Sequence, residues 1–500
     1  MRKFVLPLLL AVFSLFSCQR VSFSGAANDL ARHLRDGELI LGGQANEILH
    51  RNYYSYAHPE AVFINHHWLM SVIFYCIYKA AGLKILNAFY IALGAITFVL
   101  YFRVAEREAG LTAAAAAAAL LMPLLALRAG LRPEVFSLLL LGVFFTILWG
   151  NYRGYMGQAW LWLLPVLEIF WVNLHPGFIL GPVLVGAFLA AEALARRAGK
   201  RFMSATFPKL AMVGIATLLA GLANPNGWRG WLFPVMVSHN YAMPVRENLS
   251  PFALPEVWMA TLSEIAVALL AAAWIWAYAR KARIEWPLLL FSLLLAVMTL
   301  AFFRVYVFLG WFALVSVCVN IRAVMEAAKS KKKKEPARIP RAAVAGILAA
   351  AAVNGAAVLA PRWSDIGLGL APHDEDLAAF LKTNQIAGRV FNSFPSGGYL
   401  IHYFPNQPVY IDNRPEAYPG AFIRDEYLRV LEDEGAWRSV QEKYAFDFIC
   451  FARVNQEEGQ FLLRRIHDPD WAPVLAGPQV VLVRRAAKFA AVIARREIKF

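Results

Sequence analysis

The stretch "WLMSVIFYCIYKAAG", Trp68 to Gly82, is apolar, with His66 and His67 just before it and Lys79 near its end. At about 15 residues it falls short of the roughly 20 that a helix needs to cross a bilayer. Whether it crosses decides the side of the membrane on which every later loop falls. If it does not, the loops with Arg103 and Arg107, Arg153, "RRAGKR", "RKAR" and "KSKKKKEPAR" share one side with the N-terminal "MRK". If it does, all of those internal loops change sides, against the tendency of Lys and Arg to stay cytoplasmic. Trp68–Gly82 therefore reads as an amphipathic helix on the outer membrane surface, its Trp and Tyr rings at headgroup level.

The chain around it has 500 residues, 59% hydrophobic and 17% charged, with the apolar residues gathered into long runs. That pattern is a polytopic α-helical membrane protein. The net charge of +15 sits largely in short loops beside apolar runs, where it sets topology, so nucleic acid is not an expected partner. The start, "MRKFVLPLLLAVFSLFSCQR", reads as a retained first span; "LFSC" loosely resembles a lipoprotein cleavage box, but Phe16 fits that box poorly. Further spans are expected at Leu83–Phe102, Leu111–Leu127, Glu134–Gly150, Ala159–Val172 and Gly177–Leu194. Others follow at Phe207–Ala223, Met259–Ala279, Ile284–Phe303, Val305–Ile321 and Ala342–Ala360. The total is about eleven spans, N-terminus cytoplasmic and C-terminus outside. The lysine run Lys331–Lys334 reads as a topology anchor, and the cysteines show neither a disulfide framework nor metal-type spacing.

Residues 1–360 thus form the membrane domain, with a first outer loop at 21–82, and residues 361–500 an extracytoplasmic α/β domain. In the latter, "RVFNSF", "PVYIDN", "FDFICF" and "QVVLVRR" read as strands, while "DEDLAAFLKTN", "AFIRDEYLRVLEDEGAWRSVQEKY" and "QEEGQFLLRRI" read as helices. "SFPSGGYL" lacks the spacing and the Lys of a phosphate loop and reads as a strand-to-helix turn. The basic tail "RRAAKFAAVIARREIKF" reads as a solvated helix or one resting on lipid headgroups.

The same topology puts the polar groups on one outer surface. The first loop opens with "AANDLARHLRDGEL", Ala26 to Leu39, and closes with "INHHWL". "LRAGLRPE", "NLHPG", the loop at 224–258 and Arg304 face the same way. The segment "DLARHLRDGELIL…NYYSYAHPEAVFINHHWLMSVIFYCIYKAAG" resembles the first outer loop of bacterial GT-C glycosyltransferases, membrane enzymes related to the protein O-mannosyltransferases and the lipid A aminoarabinose transferases. The resemblance continues through "RPEVFSLLLL", "WVNLHPGFILG", "NPNGWRGWLFP" and "GRVFNSFPSGGYLIHYFPNQPVYIDNR". It implies a bacterial inner-membrane glycosyltransferase of GT-C fold. Its donor would be a polyprenyl-phosphate-linked sugar, its acceptor a hydroxyl of a cell-envelope glycan, lipid or protein, and its catalytic carboxylate Asp29. The sequence departs from the pattern at Ala31 and Arg32, and at His67, which takes an acidic position.

The residues themselves suggest parts for such a reaction. Asp29 suits a base that takes a proton from the acceptor hydroxyl late in bond formation. An always-charged guanidinium suits the departing phosphate, and Arg304, isolated between apolar spans, is the leading one; a snorkelling helix-end arginine is the alternative. Arg128, Arg132 and Glu134 read as substrate contacts or as a capping ion-pair set. His66 and His67 would need a third ligand, such as His175 or Glu134, to bind a divalent metal, which stays open as the cofactor beside an interfacial role. Asp412 and Arg414 read as ligand contacts or an ion pair. Glu168, inside a span, would suit a proton relay if the chain were a transporter or flippase for a lipid-linked intermediate. A non-catalytic envelope assembly protein is the third class.

Overall fold

A computed structural model of the chain describes residues 2–24, 29–126, 130–197, 207–240, 243, 245–254, 257–331, 356, 360–452 and 456–499. Arg128, Lys332–Lys334 and nearly all of the expected span Ala342–Ala360 lie outside them. The membrane part contains α1 (Arg2–Ser17), α2 (Leu30–Leu39), α3 (Ala45–His50), α4 (Trp68–Ala109), α5 (Leu111–Leu125), α6 (Glu134–Tyr152) and α7 (Leu163–Leu174). It continues with α8 (Leu180–Arg197), α9 (Phe207–Ala220), α10 (Gly227–Asn240), α11 (Val257–Ala279), α12 (Trp286–Ala301) and α13 (Tyr306–Lys331).

Among the described residues, five helices are long and apolar enough to cross a membrane: Trp68–Ala109, Glu134–Tyr152, Pro176–Arg197, Thr261–Ala279 and Phe303–Ala328. Five more apolar helices, such as Phe4–Ser17 and Trp286–Ala301, are shorter. The chain is a membrane protein, and its helices fall where the apolar runs stand. The deciding stretch ends where the sequence reading ends it: α4 comprises two helices that meet at Gly82, a non-helical residue with φ 79° and ψ 175°. Only glycine takes that backbone region without strain, so the surface segment and the span join by a kink and not by a loop.

Bulky aromatic side chains fill the bundle centre. Tyr101, Trp149, Trp311 and Phe312 are fully buried, with the Tyr101 and Trp311 rings 5.2 Å apart. Phe13 of α1 packs 5.4 Å from Phe98, so the N-terminal helix is part of that core. In the poly-Ala helix α5, Ala114 and Ala118 are buried, and their small side chains permit the close approach of neighbouring helices.

The C-terminal part carries a four-stranded sheet: β1 (Val390–Asn392), β2 (Phe448–Phe451), β3 (Trp471–Leu475) and β4 (Val480–Arg484), in the order β1-β2-β4-β3. β1 runs parallel to β2, and the other pairs are antiparallel. Two expectations change here. "PVYIDN" is buried but is not a strand: Val409 bridges Ser55, and the Tyr410 N–H bonds to Asn392 Oδ1 at 3.0 Å. The fourth strand is instead "WAPVL", whose Pro473 hides it from a propensity reading. The long expected helix is also broken at Asp433, whose carboxylate caps Gly435 and Ala436 and starts a new helix, Glu434–Tyr444.

This sheet region is laced to both flanks of α2. Upstream, Val21 and Gly369 share a backbone bond of 2.8 Å, and the buried Asp374 accepts from the Ser22 and Ser24 hydroxyls and from the Phe23 N–H. Downstream, Val409 N–H bonds to Tyr54 O at 2.9 Å and Ser55 Oγ to Tyr410 O at 3.0 Å. Within the membrane part, α2 presses on α4 at Gly37, where an added Cβ would meet Ser71 O at 2.3 Å. Gly37→Ala is therefore expected to cost about 1–3 kcal/mol from overpacking, more than the helix-propensity gain. Thermal unfolding in detergent would show a lowered midpoint, and an unchanged midpoint would remove this contact from the account.

Candidate functional site

The charges crowded into α2 divide by helical face. Arg32 and Asp36 form a fully buried i,i+4 pair at 2.6 Å. Asp36 also accepts from the Tyr54 hydroxyl at 2.6 Å and from Asn65 Nδ2 at 3.2 Å, which ties the far end of the first loop to the helix. Arg35 pairs outward with Glu38. His33 accepts from Arg32 Nη2 on Nε2, so its Nδ1–H donates to Ser71 Oγ at 2.9 Å.

Asp29 occupies the N-cap position of α2 without making a capping bond. Burial raises the pKa of its carboxyl, against the pull of Arg32, Arg132 and Arg304 and with a push from Glu247. Residues from four distant parts of the sequence therefore share one electrostatic neighbourhood. The turn of chain at 246–254 arranges two of them. Phe303 N–H bonds to Leu249 O at 2.9 Å, which fixes the turn against the start of α13. Glu247 then takes Arg132 in a bidentate pair at 2.8 Å, while Arg304 Nη1 donates to the neutral amide of Asn248 at 2.9 Å. No carboxylate among the described residues forms an ion pair with Arg304, so its charge is the less compensated of the two. Glu134 is buried in the first turn of α6.

The histidines expected as contacts do converge. The His67 ring lies 4.1 Å from His66, 5.5 Å from His175 and 5.3 Å from His33, centroid to centroid. Sequence reading had no means of adding His33 to this set. His175 Nδ1 accepts from Gly177 N–H at 2.9 Å and faces Ser137 Oγ at 2.8 Å; His66 Nδ1–H donates to Ile64 O at 3.0 Å. Burial holds His66 down to about 3 and pushes His33, His67 and His175 well below the usual imidazole range. The rings are therefore neutral and meet tilted or edge to face. Among the described residues no group of three or more His, Cys, Asp or Glu could hold a metal ion. His66 and His175 each engage Nδ1 only, and among the described residues their rings, His67 and Glu134 are not gathered into a metal site.

The loop "IDNRPEAY" supplies the other wall. Asn413 Nδ2 donates to Asp29 Oδ1. Glu416, in the turn Pro415–Ala417, feels Arg32, Arg414 and Asp29, and burial raises its carboxyl to about 6. Neither residue was singled out from the sequence, because nothing local marks them. Arg414, expected as a ligand contact or an ion pair, is buried. It grips Asp412 through Nε and Nη2 at 2.8 and 2.7 Å, bonds Asn52 at 2.8 Å and lies 4.5 Å over the Phe63 ring. The donors so engaged tie the sheet region to the first loop. Gly397 of "SFPSGGYL" lets this loop approach: a Cβ there would sit 2.3 Å from Ile411 O. Asn173 of "NLHPG" is a brace, accepting from Trp68 Nε1 at 2.8 Å and donating to Ala223 O at 2.8 Å, just before "NPNGW".

No protein-family model and no curated protein matches the chain. Solved structures do match. The oligosaccharyltransferase AglB of Archaeoglobus fulgidus, in complex with an inhibitory peptide and a dolichol-phosphate, is similar with a TM-score of 0.62 and 14% identity, over 97% of this chain and 74% of that one. ArnT of Cupriavidus metallidurans, bound to undecaprenyl phosphate, is similar with a TM-score of 0.52 and 15% identity, over 97% and 98%. The fold is GT-C. A further structure of the Archaeoglobus fulgidus enzyme, in complex with Zn and sulfate, matches with a TM-score of 0.52 and 13% identity, over 96% of this chain and 73% of that one.

The neutral histidines give a test of the packing. A His held uncharged in the folded chain takes up its proton in the unfolded chain first, so stability is full above about pH 6.5 and falls as the pH drops towards 3. The unfolding midpoint is expected to decline from pH 7 to pH 5, and His66→Phe, which can stack on Phe233, is expected to make that decline shallower. Equal slopes for the two proteins would contradict the buried neutral ring.

Proposed function

We propose that the chain is an outward-facing glycosyltransferase, moving a sugar from a polyprenyl-phosphate-linked donor to an acceptor hydroxyl of a cell-envelope glycan, lipid or protein. The observation that carries this is the meeting of Asp29 with Arg132 and Arg304 at one end of a GT-C bundle. The lipid phosphates named with the similar enzymes, dolichol-phosphate and undecaprenyl phosphate, support a donor of that class. Orientation in a bacterial inner membrane, with residues 361–500 outside, follows from the placement of the basic loops.

In this reading Asp29 takes the proton of the acceptor hydroxyl as that oxygen bonds to the sugar carbon, while the bond to the phosphate oxygen breaks. Burial moves its pKa towards working pH, which makes it a better base than an exposed aspartate. Asn413 holds the carboxylate by one oxygen and leaves the other for the acceptor. Arg304 receives the leaving phosphate, whose charge grows through the transition state. Arg132, neutralised by Glu247, shapes the wall, and Glu416 is a second carboxylate able to orient acceptor hydroxyls. The histidines line the neighbouring surface as neutral rings. No step runs through a metal.

The test uses detergent-solubilised protein, a panel of undecaprenyl-phosphate hexoses and pentoses, and cell-envelope acceptor extract, reading the release of undecaprenyl phosphate. Asp29→Asn is expected to lose at least about 100-fold in rate with donor binding retained, and Arg304→Ala about 100- to 1,000-fold. Retained transfer in the correctly folded Asp29→Asn protein would reject the assignment. Activity is expected to rise as the pH climbs through about 6, where Glu416 ionises, and Glu416→Gln is expected to flatten that limb. An identical pH profile in Glu416→Gln would remove Glu416 from the site.

A further inference from the structure

At the end of the bundle away from Asp29 the helices border a second polar site, an open cavity. Arg107 stands in the last turn of α4, Arg153 caps the C-terminus of α6 and Arg322 lies late in α13. Together with Glu108 and Tyr155 they line a cavity of about 450 Å³. The 19 residues of α6 separate Glu134, at the catalytic end, from Arg153. That length corresponds to about 28 Å, close to the thickness of a bilayer's hydrocarbon core.

The carboxylate here is a template for the cations. Glu108 is nearly fully buried and accepts from Arg153 Nη2 at 2.9 Å, Arg153 Nε at 3.2 Å, Arg322 Nη1 at 3.3 Å and Trp149 Nε1 at 2.9 Å. Arg153 is fixed further by Glu285 at 3.0 Å and by the Trp149 ring beneath it at 4.6 Å. Two guanidiniums that would otherwise repel are therefore held side by side, with N–H groups to spare. Arg107 adds a third. It lies 4.8 Å from the centroid of the Tyr155 ring, and no carboxylate among the described residues forms an ion pair with it. Glu285 also pairs with Arg153 and Glu326 with Arg322, at 3.0 and 2.8 Å, so the uncompensated charge at the cavity is that of Arg107; it favours an anion, and the fork geometry of guanidinium favours phosphate.

The surroundings say where that phosphate comes from. Tyr155, Trp160 and Trp162 are 41%, 54% and 42% exposed beside the cavity's loop, as interfacial aromatics are at headgroup level. Basic pockets between helices at this depth suit the headgroups of anionic lipids. We propose that the Arg107–Arg153–Arg322 cavity binds the phosphodiester headgroup of an anionic membrane lipid, at the membrane face opposite to Asp29.

The experiment places the full chain in nanodiscs of phosphatidylcholine with increasing phosphatidylglycerol and reads both the unfolding midpoint and the lipid retained in native mass spectrometry. Arg107→Ala leaves the partners of Glu108 intact, and Arg103→Ala, one turn earlier on the same helix, is a charge-matched control. Phosphatidylglycerol is expected to raise the midpoint and to be retained by the wild type and Arg103→Ala. Arg107→Ala is expected to weaken retention at least about fivefold. Equal responses in phosphatidylcholine alone, or equal losses in both variants, would overturn the site. A response to millimolar inorganic phosphate that the lipid does not reproduce would assign the cavity to a free anion and overturn the lipid source.

Discussion

The buried pair of Arg32 and Asp36 is the interaction on which the candidate site depends. A carboxylate with no solvent must be paired and hydrogen-bonded, and Asp36 has Arg32, Tyr54 and Asn65 around it. Those partners come from α2 and from both ends of the loop that follows. Satisfying one charge thus sets the rotation of α2 and closes the loop upon it. Once that face of α2 points inward, His33 must face Ser71 and the other histidines, and Asp29 must stand at the helix start. There the helix dipole favours an ionised carboxylate while burial opposes it, and burial is the larger effect.

The arginines around Asp29 differ by what neutralises them. Arg132 is matched by Glu247, Arg414 by Asp412, and Arg32 by Asp36, whereas among the described residues Arg304 has only an amide partner. A guanidinium already paired with a buried carboxylate adds little net field, so the attraction for a phosphate concentrates at Arg304. The sheet region contributes to the same place. Asn413 touches Asp29 from about 380 residues away in sequence, and Asp374, Val21 and Val409 hold its loop in position. The candidate site is composite, and the C-terminal region is a wall of it.

The two ends of the bundle use charge differently. At the Asp29 end acids and cations are dispersed around neutral imidazoles, which leaves a field that a reacting group could exploit. At the other end Glu108 gathers arginines around itself in a fixed array. Between them the interior is aromatic, and Glu168, the ionisable group within α7, has no hydrogen-bond partner among the described residues. Its carboxyl, Phe144 and Trp171 all crowd against Gly181 of α8.

Hydrophobic runs and turn residues by themselves determined the helical membrane class, most helix positions and three of the four strands, because each depends on interactions within a few residues. The break between two helices at Gly82 was also legible as a punctuation point. What only the tertiary structure decided was which charges meet. "IDNRPEAY" reads locally as a strand end with an ion pair, and nothing in it points to Asn413 or Glu416 as neighbours of Asp29. The strand "WAPVL" was masked by its proline, and the meeting of His33 with His67 was visible only in the fold. Local sequence encodes the energy of burying a segment. The pairing of buried polar groups is a property of distant chain segments brought together, and it is that pairing which gives this fold its chemistry.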